Sequence, residues 1–533
     1  SRSDLQRMCF CFLTYIVYDP SLLPTNHQLS APVANSPQDA IEALNSLQSS
    51  YATIQARKLG NRKPDGASIQ EMRTYLSRLG HSPTDLTRLN VVHVAGTKGK
   101  GSTCAYVDSI LAAWQSTHAV PRRTGLLTSP HLISVRERIR LDSQPISEEL
   151  FTRYFFDVWD RLGSAALPEE IRAEQQQASA ADPGNISMKP RPNYARYLTL
   201  LAYHVFLREG VDAAVFETGI GGEYDATNIT AQPAVTGISM LGIDHIFVLG
   251  DTVDKIAWHK AGIMKTGSPA FSVPQVPAAA AVLRDRAREK NVDLGFIEMD
   301  HRLDNVKIRP AADFQRMNAS LAVKLAETVL QKVDLQFTPS KTHLPAAFVR
   351  GLESVVWRGR CEVKEEGKVL WHLDGAHTID SINVCSNWFA DECTKSSMGG
   401  PKVLIFNQQG RTEAVDFLNS LYNIVTKNKV HFDHVIFCTN ELRNPARKDL
   451  VNNQVDLESI KTLKVQNTFA KRWRNIDPSV SVSVAATVDD ALDTARSLCE
   501  GLPEEERVQV LVTGSLHLVG AVLSTLEGVG ASV

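Results

Sequence analysis

Residues 91–103, V-V-H-V-A-G-T-K-G-K-G-S-T, constrain this chain more than any other stretch. The apolar run from Val91 to Ala95 predicts a buried parallel strand. A glycine-rich turn follows from Gly96 to Gly101, and a helical pattern runs from Ser102 to Trp114. Strand, glycine loop and helix in that order form a phosphate-binding loop. Backbone N–H groups curl around the anion, and the helix N-terminus adds partial positive charge. Lys100 supplies a full charge, and Ser102 or Thr103 supplies a hydroxyl for phosphate or Mg²⁺. The spacing departs from G-x-x-x-x-G-K-[ST], because Gly101 separates the lysine from the hydroxyl. A turn that merely closed the strand–helix unit would leave Lys100 and the hydroxyl pair idle. The loop specifies a nucleotide phosphate but not a reaction.

Length and charge narrow the setting. A chain of 533 residues is too long for one core, so two domains with insertions are expected. A net charge of −2 gives no electrostatic case for nucleic acid or an anionic membrane. The eight cysteines are scattered without a C-x-x-C pair, which argues against a zinc site or disulfide framework and for a reducing compartment. No apolar run is long enough to span a bilayer. Residues 8–17 are apolar and follow Arg2 and Arg7, as in the h-region of a targeting segment. A small-residue cleavage site is lacking, and Asp4 and Asp19 do not suit a mitochondrial transit peptide. Residues 1–35 are read as a leader.

Three further strand ends carry chemistry. The strand from Thr124 to Thr128 stops at Ser129-Pro130-His131, leaving Ser129 where α/β folds place ligands. A buried strand from Ala213 to Phe216 ends at Glu217, before the turn Gly219-Ile220-Gly221-Gly222 and Asp225-Ala226-Thr227-Asn228. A carboxylate there suits the acidic Mg²⁺ partner of phosphoryl chemistry. A third strand, from Ala234 to Ser239, runs into Gly242-Ile243-Asp244-His245. Taken singly, Ser129 reads as a turn hydroxyl and His245 as a packed histidine, while a cap or ion pair is the lesser alternative for Glu217. Their shared position beside one phosphate loop favours ligands. Lys260 lies on a helix expected within residues 252–265, as a charge clamp or, if carbamylated, as a carboxylate-like ligand.

Residues 167–193, rich in Ala, Gln, Glu and Pro, read as an insertion. Residues 339–356, with two prolines near their start, read as a linker. From Val356 an alternating strand–helix pattern restarts, without a phosphate loop of its own. Expected strands there are 369–373, 402–406, 434–438 and 508–513. Asp374 and Arg360 suit a ribose hydroxyl and a phosphate, or equally a helix cap and a surface ion pair.

The ordered motifs G-T-K-G-K-G-S-T, T-S-P-H-L, E-T-G-I-G-G-E-Y-D-A-T-N, G-I-D-H, K-I-A-W-H-K-A-G-I, W-R-G-R, L-D-G-A-H-T, F-N-Q-Q and V-T-G-S-L-H-L-V-G resemble those of folylpolyglutamate synthases, members of the Mur-ligase superfamily. The likeness runs from about Gln38 to the C-terminus, outside the insertion. Lys98, Tyr224 and Phe406-Asn407-Gln408-Gln409 point to the eukaryotic, fungal branch. The resemblance implies an α/β protein with an N-terminal P-loop ATPase-like domain (36–338), a mostly parallel sheet, and a smaller C-terminal Rossmann-like domain (357–533).

It also implies the site. Gly99, Lys100, Gly101 and Ser102 would hold ATP phosphates, and Arg360 and Asp374 would hold ATP from the C-terminal domain. Ser129, Glu217 and His245 would bind Mg²⁺. Lys260 would carry a carbamate, His377 would stand near the reacting centre, and a monovalent cation is a further allowed ion. The implied substrates are ATP, L-glutamate and tetrahydrofolate polyglutamates. They would be used by a monomer with no nucleic-acid partner, in the cytoplasm or in a mitochondrial form.

Two departures stand out. Arg358 occupies the proline position of W-P-G-R, which is expected to loosen that turn. F-N-Q-Q is followed by Gly410-Arg411-Thr412-Glu413, so no role is given to that loop. The alternatives are a dihydrofolate synthase acting on dihydropteroate, a non-catalytic nucleotide-binding protein, and a muramyl ligase. The last would need an extra UDP-binding domain before Val91, and that region is too short and too helical for one.

Overall fold

The computed structural model describes residues 35–50, 53–54, 65–164, 189–356, 358–395, 399–408, 414–444 and 457–528. The leader, apart from its last residue, most of the 167–193 insertion and the loop after Gln408 lie outside the described residues.

Eight strands form the first sheet: β1 Val92–Ala95, β2 Thr124–Leu127, β3 Ile139–Leu141, β4 Gln144–Pro145, β5 Ala213–Glu217, β6 Val235–Ile238, β7 Ala270–Ser272 and β8 Leu294–Phe296. Their order is β4-β3-β2-β5-β1-β6-β7-β8. In that order the strands from β2 to β8 run parallel, and β3 alone is reversed, pairing antiparallel with both β2 and β4. β1 therefore lies inside the sheet between β5 and β6, and its phosphate loop opens at the strands' C-terminal edge.

The pleat divides two cores. Alternate residues of β5 face opposite ways. Ala213 and Val215 join the helices Lys100–His118 and Asp313–Val333, while Ala214 and Phe216 join Tyr194–Arg208 and Glu148–Ser164. Burial on both faces explains why β1, β2, β5 and β6 read as apolar runs.

Six strands form the second sheet: β9 Glu362–Glu366, β10 Val369–Leu373, β11 Lys402–Phe406, β12 His434–Cys438, β13 Ser481–Ala485 and β14 Val508–Thr513. Their order is β13-β12-β11-β14-β10-β9, with only β9 antiparallel. The four strands expected here stand at the expected residues.

Residues 339–356, read as a linker, contain the helix Ala346–Glu353. It packs on the phosphate-loop helix. Ser109 Oγ donates to the Gly351 carbonyl at 2.6 Å, and a Cβ at Gly351 would lie 2.7 Å from the Ile110 backbone. The chain thus stays on the first core up to Glu353. Arg358 does not loosen its turn. It donates to Glu527 at 2.6 and 3.0 Å and to Glu362 at 3.0 Å, tying β9 to the end of the last helix.

The two sheets are locked together. Leu132, just beyond β2, sits in the second sheet's core beside Leu518 and Val519. Gly520 permits this, since a Cβ there would fall 1.9 Å from the Leu132 carbonyl oxygen. Lys98 of the phosphate loop forms an ion pair with Asp380 of the second domain. Among the described residues, no helix is long and apolar enough to cross a membrane.

Candidate active site between the two sheets

The phosphate loop is clamped from the β6 side. The N–H groups of Thr97 and Lys98 both donate to the Met240 carbonyl, at 2.9 and 3.0 Å. Ser239 Oγ donates to the Lys98 carbonyl at 2.7 Å. Gly96 and Gly99 are required by close approach as well as by positive φ. A Cβ at Gly96 would meet Ser239 Oγ at 1.9 Å, and one at Gly99 would meet Asn318 Oδ1 at 2.2 Å. The helix begins at Lys100, after Gly99 as N-cap. Gly99, Lys100, Gly101 and Ser102 thus supply the first-turn N–H groups that a helix's own ladder cannot use.

Two lysines converge on this loop. Lys100 Nζ donates to the Gly96 carbonyl at 3.0 Å, and Lys260 Nζ donates to the same oxygen at 2.7 Å. Lys260 is only 3% exposed. Burial and then the Lys100 charge push its ammonium down to about 7, against Asp244 and Asp225. Burial therefore favours the uncharged amine more than in an ordinary lysine.

Glu217 ends β5 and is 6% exposed. Its Oε2 accepts the Thr128 hydroxyl and the Ser129 N–H, the latter at 3.1 Å. Burial raises the carboxyl above its ordinary value, against the pull of Lys100, the Thr128 hydroxyl, the Ser129 N–H and Arg360. Arg360 comes from the second domain, so both domains contribute charge to one site. Ser129 and Glu217 are thereby brought together. His245 is more open, with its side chain 43% exposed and its backbone left-handed at φ 51°. Its N–H donates to Asp244 Oδ1 at 2.8 Å. Among the described residues, no group of three or more His, Cys, Asp or Glu side chains is gathered to hold a metal ion.

Asp374, at the end of β10, is 7% exposed and accepts the Cys361 N–H at 2.9 Å. Burial raises its carboxyl, opposed first by Arg360. His377 folds back, with Nδ1 3.1 Å from the Gly375 carbonyl, and its N–H donates to Ser381 Oγ at 3.1 Å.

Several residues at the site have no role in the sequence reading. Thr128 bonds the Glu217 carboxylate. Asn318 stands against Gly99 and donates to Gln315 Oε1 at 2.8 Å. Asp225 accepts four donors from its own turn. Asp225 lies inside the D-A-T-N motif, which marked the position but not the contacts. Thr128 likewise opens the T-S-P-H-L motif, whereas Asn318 carried no signal, since Gly99 is remote from it in sequence.

No protein-family model matches the chain. It is 57% identical over 518 residues to the folylpolyglutamate synthase of Neurospora crassa, covering 95% of this chain and 96% of that one. The chain belongs to the folylpolyglutamate synthase family. The Saccharomyces cerevisiae folylpolyglutamate synthase of strain FostersO is 42% identical over 504 residues, covering 93% of this chain and 88% of that protein. Both relatives are fungal, as the motifs indicate. Mycobacterium tuberculosis folylpolyglutamate synthase complexed with ADP shares the fold at TM-score 0.67 and 23% identity, over 92% of this chain and 99% of that one. The apo form of the L. casei enzyme does so at TM-score 0.63 and 22% identity, over 92% and 100%. Membership of the folylpolyglutamate synthase family makes the chain an ATP-dependent ligase of glutamate to folates.

Proposed function

We propose that this chain adds L-glutamate in γ-linkage to tetrahydrofolate polyglutamates, forming ADP through an acyl phosphate. The observation that carries the reading is the convergence of Lys100 and Lys260 on the Gly96 carbonyl, with Glu217 within electrostatic reach of Lys100. A carboxylate does not react with an amine at neutral pH, because oxide would have to leave. Transfer of the ATP γ-phosphoryl group to the acceptor's terminal γ-carboxylate replaces that leaving group with phosphate and releases ADP. The α-amine of glutamate then attacks the acyl carbon, phosphate departs with the bonding pair, and an amide remains.

Each residue has a part. Gly99, Lys100, Gly101 and Ser102 hold the phosphates, and Arg360 and Asp374 hold the nucleotide from the second sheet. His377 orients or deprotonates the incoming ammonium. Ser129, Glu217 and His245 would hold Mg²⁺. A hydroxyl, a carboxylate and an imidazole suit a small divalent ion, and both Glu217 donors fall on Oε2, leaving Oε1 for a ligand. When bound, that ion neutralises phosphate charge. Lys260, held near neutrality, fits carbamylation: its uncharged nitrogen attacks the carbon of CO₂ and loses one proton.

The roles assigned above use residues of one chain, and the reading is of a monomer. Six described cysteines are free, four of them buried, which suits the reducing cytoplasm or mitochondrial matrix.

The test is incorporation of labelled glutamate into tetrahydrofolate with ATP, with product length resolved. The reading requires a γ-linked ladder with one ADP released per glutamate. AMP and pyrophosphate as products, or dihydropteroate as the sole acceptor, would overturn it.

A further inference from the structure

The interior holds one polar chain that none of the roles above explains. On β1, Val92 and Val94 face the phosphate-loop helix, so His93 between them faces the opposite side of the sheet. His93 is 1% exposed, and its Nε2 lies 2.8 Å from Thr227 Oγ1. Thr227 Oγ1 in turn donates to Asp225 Oδ1 at 2.5 Å. A hydroxyl has a single proton, and here it goes to the carboxylate. Thr227 Oγ1 must therefore accept from His93, which fixes the tautomer with hydrogen on Nε2. Asp225 gathers the rest of the turn. Oδ1 also takes the Thr227 N–H at 2.9 Å, and Oδ2 takes the N–H groups of Gly219 and Ile220 at 3.0 and 3.1 Å.

We propose that His93 is a positioning residue for the ligation, acting through Thr227 and Asp225 to fix the glycine turn that follows Glu217. One end of the relay stands three residues before Gly96 on the phosphate-loop strand, and the other two residues beyond Glu217. It therefore ties the phosphate-loop strand β1 to the turn after β5, two parts of the first sheet that have to keep register during phosphoryl transfer. Packing alone would be served by an apolar residue at position 93, without the cost of burying an imidazole. Burial drives the His93 imidazolium down to about 3, so the ring is a neutral donor throughout the working range. Asp225 also acts electrostatically on Lys260, so the relay orients a charge that bears on that amine. This role rests on the ligase reading given above.

The experiment compares His93→Leu, His93→Gln, Thr227→Val and the double variant His93→Leu/Thr227→Val by steady-state kinetics and amide hydrogen exchange. Misplacing reacting groups by about 1 Å costs on the order of 10²-fold in rate. His93→Leu and Thr227→Val are expected to lower kcat by ~10–100-fold, with KM for ATP within about threefold. His93→Gln, which keeps a donor at similar reach, restores most of kcat. The double variant is no worse than either single one, as for links of one chain. Exchange at the Gly219 and Ile220 amides is slow in the parent and faster in Thr227→Val. Equal loss in His93→Gln and His93→Leu, multiplicative losses in the double variant, or unchanged amide exchange would overturn the relay. If His93→Leu does not fold, Thr227→Val, nearly isosteric, and His93→Gln decide it. If the parent protein adds no glutamate, the ligase reading fails while the exchange data still judge the relay.

Discussion

The two sheets share an architecture but end in different polar groups. Around the phosphate loop of the first sheet, Glu217 is 6% exposed and Lys260 3% exposed, each an ionisable group with its ordinary titration disturbed by burial. At the corresponding ends of β11 and β12, the buried polar groups are neutral amides linked by hydrogen bonds, with Gln408 Oε1 and Gln466 Oε1 left without a partner among the described residues. Asn407 donates to Asn440 at 2.8 Å, and Gln466 donates to Asn407 at 2.9 Å. Buried charge is a poor source of stability, whereas neutral amides can be paired at low cost. The contrast indicates that the first sheet keeps its charges for chemistry and the second keeps its amides for shape. Asp374 and Arg360 are the exception that supports the rule, because they lie on the part of the second domain that faces the first.

The largest expected effect comes from Lys100→Ala. Glutamate addition should fall by ~10³-fold or more in the incorporation assay, as expected when a positioned phosphate charge is lost. Its melting temperature should stay within a few degrees of the parent. Retained activity would remove Lys100 from the phosphate site and erase the contrast. Arg360→Ala should raise KM for ATP and lower kcat/KM by ~10–100-fold, one charge-assisted contact's worth. Steady-state kinetics at saturating folate would show it.

Gln466→Leu should behave in the opposite way. It leaves Asn407 Oδ1 buried without its donor, at about 1–3 kcal/mol. Urea unfolding should record that loss while kcat stays within about threefold. A stable but inactive Gln466→Leu protein would place chemistry at the amide end.

The smallest effect lies in the helical layer. His204 donates to Asp157 at 2.7 Å, and burial lowers its imidazolium to about 4. The unfolded value is about 6.5. Between pH 6.5 and 4 the unfolded chain binds a proton that the folded chain does not. Stability from this group is therefore complete above pH 6.5 and is lost as pH falls through 4. Melting temperatures across that window should drop, and His204→Phe should flatten the slope. An unchanged slope would take His204 out of the account.

Much of this was legible in the residues. Continuous apolar runs made β1, β5, β10, β11, β12 and β14 readable, because strands buried on both faces carry no alternation. β9 and β13 were not read. Glu362–Glu366 and Ser481–Ala485 are half-exposed edge strands whose alternating polar residues resemble a loop. The motif ends Ser129, Glu217 and Asp374 were visible as polar residues after apolar runs. The contacts that give them meaning were not. His93 finds Thr227 across 134 positions, and Lys98 finds Asp380 across 282, distances at which local pattern carries no information. The helix over Ala346–Glu353 was hidden by the prolines before it, Pro339 and Pro345, and its place was decided by packing on Ile110 rather than by propensity.

The claim that the first sheet's buried charge serves chemistry at the expense of stability is tested most directly by Lys260→Met. Methionine matches the volume, and Lys100 remains to serve the Gly96 carbonyl. An equal or higher melting temperature is expected, together with a loss of glutamate addition of ~10²-fold or more. A lower melting temperature with activity retained would contradict it.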